Sequence, residues 1–212
     1  MKSALIAGAT GLIGNQLLQM LLSSERYSKV TAIVRNKISD HPKLNQVSIN
    51  LGDPHAYGGL YADDVFCCLG TTIAKAGSKE KFREVDFEYP LALARTMKAA
   101  GASQYLLVSA LGAKKDSSIF YNQVKGEVED SVINAGYQCV HIFRPSLLLG
   151  DRKEKRSGEE AAKVFYKIFG FLIPSKYKSI ESRAVANAMR HFASRDQKGT
   201  FIHESGSLQP YN

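Results

Sequence analysis

No apolar stretch in the 212 residues is long enough to cross a bilayer. Neither Cys-x-x-Cys nor His-x-x-x-His occurs, so no metal-ligand spacing is present and no metal is expected. There is no internal repeat and no low-complexity tract; only Asp151 to Gly158, charged and without periodicity, reads as an extended loop. Cysteine is scarce, with three in all. Cys67 and Cys68 adjoin on one predicted buried strand and Cys139 falls on another, which predicts reduced core thiols of a cytoplasmic protein rather than a disulfide framework. The apolar residues after Met1-Lys2 break at Gly8-Ala9-Thr10-Gly11 with no small-residue cleavage site, so they are not read as a secretory leader.

Positive charge is in excess, formally +8, but it is dispersed. The denser patches, Lys75 to Arg83, Lys114-Lys115 and Arg152 to Arg156, are interleaved with acids or fall in expected loops, and none carries the aromatic alternation of a base-stacking platform. No nucleic-acid partner and no membrane partner is expected. A polyanionic cofactor or substrate accounts for a basic rim, as does plain solvation. The length and the 44% hydrophobic content suit a single domain, residues 1–212, with a real core.

The chain is organised around Ala4-Leu5-Ile6-Ala7-Gly8-Ala9-Thr10-Gly11-Leu12-Ile13-Gly14. Its apolar run suits a strand covered on both faces. Gly8 permits the sharp exit, Gly11 lets a pyrophosphate approach the backbone, and Gly14 lets the following helix pack on the strand. That helix, with Leu17, Leu18, Leu21 and Leu22 at helical spacing, presents its unpaired N–H groups and positive dipole end to the anion. The plain alternative is an ordinary strand, turn and helix.

Lys29 to Val34 reads as a second strand ending at Arg35. At this place, about 20 residues past the turn, an acid would accept from a ribose 2′-hydroxyl. Arg35, followed by Asn36 and Lys37, instead suits a 2′-phosphate, because guanidinium pairs with phosphate through two parallel bonds. NADP(H) is therefore the expected cofactor, with a solvated strand-end arginine as the alternative. Gln46 to Asn50 is a third strand, after which Asp53 either meets the adenine amino group or caps the turn that Pro54 begins. Asp64 to Gly70 is a fourth, whose tip, Leu69-Gly70-Thr71-Thr72, lies at the ligand-binding edge, although the threonines are also suited to capping the next loop. A helix from about Phe87 to Ala100, a fifth strand from Gln104 to Val108, a helix from Phe120 to about Ala135 and a sixth strand from Gln138 to Phe143 follow. Helices near Glu160 to Phe171 and Arg183 to Ala193 and a last strand at Thr200 to His203 complete the reading. This alternation predicts an α/β fold, a doubly wound parallel sheet of the Rossmann type, with a short substrate-side lobe mainly from about residue 151 to 212.

Tyr121 and Lys125, spaced i, i+4, share one helix face. A phenol is a weak acid at neutral pH, but a positive charge about 4 Å away in a shielded cleft is worth up to about 4 kcal/mol, enough to bring it near working pH. Ser109, at the end of the neighbouring strand, is placed to donate to a substrate oxygen. The bland alternatives are a tyrosine packed beside a solvated lysine, and a serine that caps a loop.

Together, Gly8-Ala9-Thr10-Gly11-Leu12-Ile13-Gly14, Ser109 and Tyr121-x-x-x-Lys125 resemble an atypical short-chain dehydrogenase/reductase. Phe66-Cys67-Cys68-Leu69-Gly70-Thr71-Thr72, Lys75-Ala76-Gly77, Gln123 to Glu129 and Phe143-Arg144-Pro145 resemble its Tat-interacting-protein branch more closely. The resemblance covers nearly the whole chain. It implies NADPH held by Thr10, Gly11, Leu12 and Ile13, by Arg35 with Asn36, by Leu69 and Gly70, by Tyr121 and Lys125, and by the segment Pro145 to Leu148. It also implies that Arg156 folds back over the cofactor. Asp86 stands where many extended relatives carry asparagine near the lysine, and the chain after the sixth strand is short beside that of sugar-nucleotide epimerases.

The expected function is hydride transfer between NADP(H) and a small carbonyl or alcohol, with Tyr121 as acid and base. The alternative is an NADP(H)-binding redox sensor that acts on a protein partner without turnover, as NmrA-like relatives do; those typically lose the tyrosine that this sequence keeps, while the Tat-interacting branch is itself associated with regulatory interactions. Oligomeric state is left open by the sequence; related enzymes pair through helices that flank the active site, so the resemblance allows a homodimer as well as a protein partner.

Overall fold

Ala4, Leu5, Ile6 and Ala7 are all buried, as a strand with helices on both faces requires. They belong to β1 (Lys2–Ala7), inside a seven-stranded parallel sheet. The structure, a computed structural model, describes residues 1–149 and 178–211. The charged loop Asp151 to Gly158 with Arg156, and the helix expected near Glu160 to Phe171, lie outside the described residues.

From β1 the chain steps outward to β2 (Tyr27–Ile33) and β3 (Leu44–Val47). It then returns to the other side of β1 and builds β4 (Asp64–Cys67), β5 (Gln104–Val108), β6 (Cys139–Arg144) and finally β9 (Gly199–Glu204). The spatial order is β3-β2-β1-β4-β5-β6-β9, so strand order reverses between β1 and β4. A reversal of this kind opens the crevice in which α/β sheets take ligands. Two short strands, β7 (Leu148–Leu149) and β8 (Ile180–Glu181), pair separately.

On one face α1 (Leu12–Leu22) and α6 (Ser182–Ala193) pack through Leu17, Leu18, Leu21, Val185 and Met189. On the other, α4 (Tyr89–Ala99) and α5 (Phe120–Ile133) contribute Leu93, Met97, Val128 and Val132. The doubly wound sheet predicted from the alternation of strands and helices is the observed fold.

Several boundaries differ from expectation. β3 lies earlier than Gln46 to Asn50, because Asn50 turns the chain by accepting the Gly52 N–H at 3.1 Å. β4 ends at Cys67, and Thr72 caps α2 (Ile73–Ala76) by accepting the Lys75 N–H at 3.1 Å. Ser78 caps α3 (Lys79–Arg83) in the same way. α3 then runs through a wider π turn, Glu84–Glu88, into α4, so the chain is helical well before Phe87.

Candidate active site

β1 leaves the sheet through Gly8, at φ 83°, and a Cβ there would stand 2.4 Å from the Cys68 carbonyl oxygen. A Cβ on Gly14 would stand 2.1 Å from the Gly8 carbonyl oxygen, so α1 packs backbone to backbone on the turn. Between them Gly11 donates its N–H to the Gly8 carbonyl at 3.0 Å and remains exposed. Gly11 is also the residue that opens α1, where no side chain caps the first turn and no acid stands in it. Uncapped N–H groups at a positive helix end, free of a competing carboxylate, fit a pyrophosphate. Thr10 is exposed on this turn, Leu12 is half-buried, and Ile13 is buried in the core, which leaves its backbone to face an anion.

Arg35 and Asn36 come after β2 and Val34 and are exposed, at the same carboxyl edge as the glycine turn. Asp53 caps the short turn Pro54–Tyr57, its Oδ1 accepting the His55 N–H at 2.9 Å, which is the second of its two expected roles. Leu69 is half-buried against the α4 side of the core and Gly70 is exposed.

Tyr121 lies in the first turn of α5, half-buried, its ring 5.4 Å from that of Phe82. One turn on, Lys125 is buried and sets its Nζ 2.6 Å from Asp86 Oδ1. Asp86, equally buried, accepts the Thr71 N–H at 2.8 Å through Oδ2. Burial pushes the Lys125 ammonium down, but the Asp86 carboxylate and the Tyr121 oxygen more than offset this and hold it above its ordinary value. A Cβ on Gly70 would lie 3.5 Å from Asp86 Oδ1 and 3.9 Å from Lys125 Nζ, so the tip of β4 covers the pair.

Ser109 follows β5 as expected, but its hydroxyl is turned inward and donates to Glu129 Oε1. Glu129 is buried and also takes a forked pair of bonds from Arg144, Nε at 3.1 Å to Oε1 and Nη2 at 2.6 Å to Oε2. Arg144 Nη1 reaches Glu204 on β9 at 2.9 Å. A serine hydroxyl has one hydrogen to give. With that hydrogen on Glu129, the substrate-oxygen role expected of Ser109 does not fall to it in this arrangement. Pro145 is buried and its carbonyl accepts the Leu111 N–H at 2.9 Å; Leu148 is half-buried in β7.

No role is expected of Glu129 from the sequence. The signal available is its place one turn beyond Lys125, which extends the Tyr121 and Lys125 stripe along α5 into the apolar side of the helix. Among the described residues no cluster of His, Cys, Asp and Glu is arranged to hold a metal ion.

Residues 8–159 match the protein family described as NAD(P)H-binding. The chain is 40% identical to protein HTATIP2 of Rattus norvegicus over 171 residues, covering 78% of this chain and 70% of that protein. Its fold is similar to that of the Bordetella bronchiseptica enzyme WbmH, solved in complex with NAD+, with a TM-score of 0.71 at 18% identity over 97% of this chain and 76% of that one. It is also similar to human epimerase family protein SDR39U1 (isoform 2), solved with NADPH, at a TM-score of 0.64 and 16% identity over 95% and 74%. The glycine turn on a doubly wound sheet, the family match and the HTATIP2 likeness converge: the chain belongs to the NAD(P)-binding short-chain dehydrogenase/reductases, in the atypical branch of HTATIP2.

Proposed function

We propose that the protein is an NADP(H)-dependent oxidoreductase acting on a small carbonyl or alcohol, with Tyr121 as its acid and base. The observation that carries this reading is the half-buried Tyr121 one turn from buried Lys125, on a fold whose β1–α1 turn is open to a pyrophosphate. The turn Gly8 to Gly14 and the start of α1 hold the pyrophosphate, and Arg35 with Asn36 grips the 2′-phosphate. Leu69, Gly70 and the segment Pro145 to Leu148 flank the nicotinamide half. When bound, the nicotinamide supplies or takes the hydride. Tyr121 moves the proton at the substrate oxygen, and Lys125 sets the charge beside it.

Fluorescence titration with NADPH against NADH tests the cofactor: NADPH binds more tightly, and Arg35→Glu removes the preference. A carbonyl panel followed by NADPH oxidation tests the chemistry, with Tyr121→Phe expected to slow turnover by about 10²-fold or more. Undiminished turnover in that variant would sink the mechanism.

The engagement of Ser109 by Glu129 favours one other reading, a cofactor-binding regulator without turnover. It is supported by an inert carbonyl panel together with a protein partner retained only by NADPH-loaded protein.

A further inference from the structure

Gly126 sits in the middle of α5, where a glycine weakens the helix and calls for a packing reason. The reason is the connection from Ser109 to Ile119, which lies directly on it: a Cβ on Gly126 would stand 2.2 Å from the backbone nitrogen of Lys115 and 2.3 Å from the carbonyl carbon of Lys114. One turn earlier the Asn122 carbonyl accepts the Lys114 N–H at 3.0 Å, and one turn later Asp130 pairs with Lys115 at 2.9 Å. Gly112, at φ 83°, lets the connection pass the Asn122 side chain, which a Cβ there would approach to 3.2 Å. The Leu111 N–H goes to the Pro145 carbonyl at 2.9 Å and the Ser117 N–H to the Lys114 carbonyl at 3.0 Å, so the connection is tied along its length. Asn122, Gly126 and Asp130 form a stripe beside that of Tyr121, Lys125 and Glu129, one residue further around the helix. The opposite flank of α5 is held by α3, with the Phe82 ring 6.0 Å from that of Phe120 and Arg83 Nη1 2.5 Å from Glu127 Oε2. Tyr121 therefore stands between α3 on one side and the connection on the other, and the connection joins α5 two residues before it.

We propose that Gly126 is a positioning residue for the substrate: by letting the connection lie flush on α5, it fixes one wall of the slot through which a small carbonyl reaches Tyr121. This rests on the reading of Tyr121 as the residue that moves the proton. Gly126 acts through the backbone of Lys114 and Lys115, and backbone cannot yield by turning a rotamer. A side chain at this position must lift the connection or tilt the helix. α5 is anchored in the core by Val124, Val128 and Val132, all buried, so the connection is what gives way. Lifting it removes a wall from the substrate and leaves Tyr121 and Lys125 on their helix face. Loss of contacts made alike in the ground and transition states weakens binding and spares the chemical step.

Gly126→Ala tests this with two readouts. Hydrogen–deuterium exchange, measured by mass spectrometry without cofactor or substrate, reports the wall: the peptide covering residues 110–118 is expected to exchange about tenfold faster than in the unaltered protein, because its amides lose their acceptors. Steady-state kinetics report the slot: for the carbonyl that the unaltered protein reduces best, KM is expected to rise about tenfold while kcat stays within about threefold and NADPH affinity is unchanged. If Gly126→Ala does not fold, Lys114→Pro takes away the N–H given to Asn122 without entering α5, and is expected to produce the same two changes. Unaltered exchange in the folded variant overturns the proposal, as does faster exchange with an unaltered KM or with a loss confined to kcat. Failure of the oxidoreductase reading shows instead in the unaltered protein, which then reduces no carbonyl, and the proposal falls with it.

Discussion

Glu129 continues the stripe that Tyr121 and Lys125 begin, yet its partners, Ser109 and Arg144, turn it into a clamp between β5, β6 and α5. Removing one member of a buried charged group leaves the others uncompensated. Glu129→Gln keeps the shape but withdraws the charge, and urea denaturation should show a loss of about 3 kcal/mol. Ser109→Ala gives up one bond to a charged acceptor and should lose about 2 kcal/mol. Were Ser109→Ala to fold with undiminished stability while turnover vanished, the serine would regain the substrate-oxygen role that its inward hydroxyl argues against. The same residues show what a single sequence hides. Tyr121 and Lys125 announce themselves because they are neighbours on one helix. The contacts of Lys125 with Asp86 and of Glu129 with Arg144 join elements brought together by the sheet, and no local spacing encodes them.

At the scale of elements, the β1–α1 unit depends on two backbones touching where glycine leaves no side chain. Gly14→Ala would set a Cβ against the Gly8 carbonyl oxygen, a backbone atom with no room to yield, and α1 would be levered off the turn. Overpacking of this kind costs about 3 kcal/mol, read as a lower thermal midpoint, and NADPH affinity should fall with it because the N–H groups of the helix no longer converge. This unit was legible because its apolar run, glycines and leucine spacing all lie within one short stretch. β5 likewise spans Gln104–Val108, the bounds expected from the sequence. The stretch from α2 through the π turn was not legible: its short helices rest on the Thr72 and Ser78 caps, and its widened turn on Pro90. Caps and a mid-helix proline read equally well as loop punctuation when no tertiary partner is in view.

At the scale of the whole molecule, the outermost strand β9 is joined to the sheet through a buried pair of imidazoles. His141 Nδ1 lies 2.9 Å from His203 Nε2, and Phe192 of α6 stacks on His203 with ring centroids 3.9 Å apart. His141 Nε2 is also 3.2 Å from Cys139 Sγ, so both ring nitrogens of His141 are engaged. Burial, and for His141 the neighbouring His203, pushes each imidazole down to about 4. In the unfolded chain they return to about 6.5. Between these values the unfolded state binds protons that the folded state refuses, so stability is full above about pH 6.5 and drains away as the pH falls toward 4. Allowing for coupling between the two rings, the loss from pH 7 to pH 4.5 should be on the order of 3 kcal/mol by urea denaturation. The paired carboxylate Asp196, held down at about 2, titrates below this window and does not imitate the effect. His203→Phe preserves a ring against Phe192 and removes one of the two titrating groups, so its stability should fall less steeply over the same range. An unaltered slope in that variant would assign the acid sensitivity elsewhere and leave β9 held by its ladder to β6 and by packing.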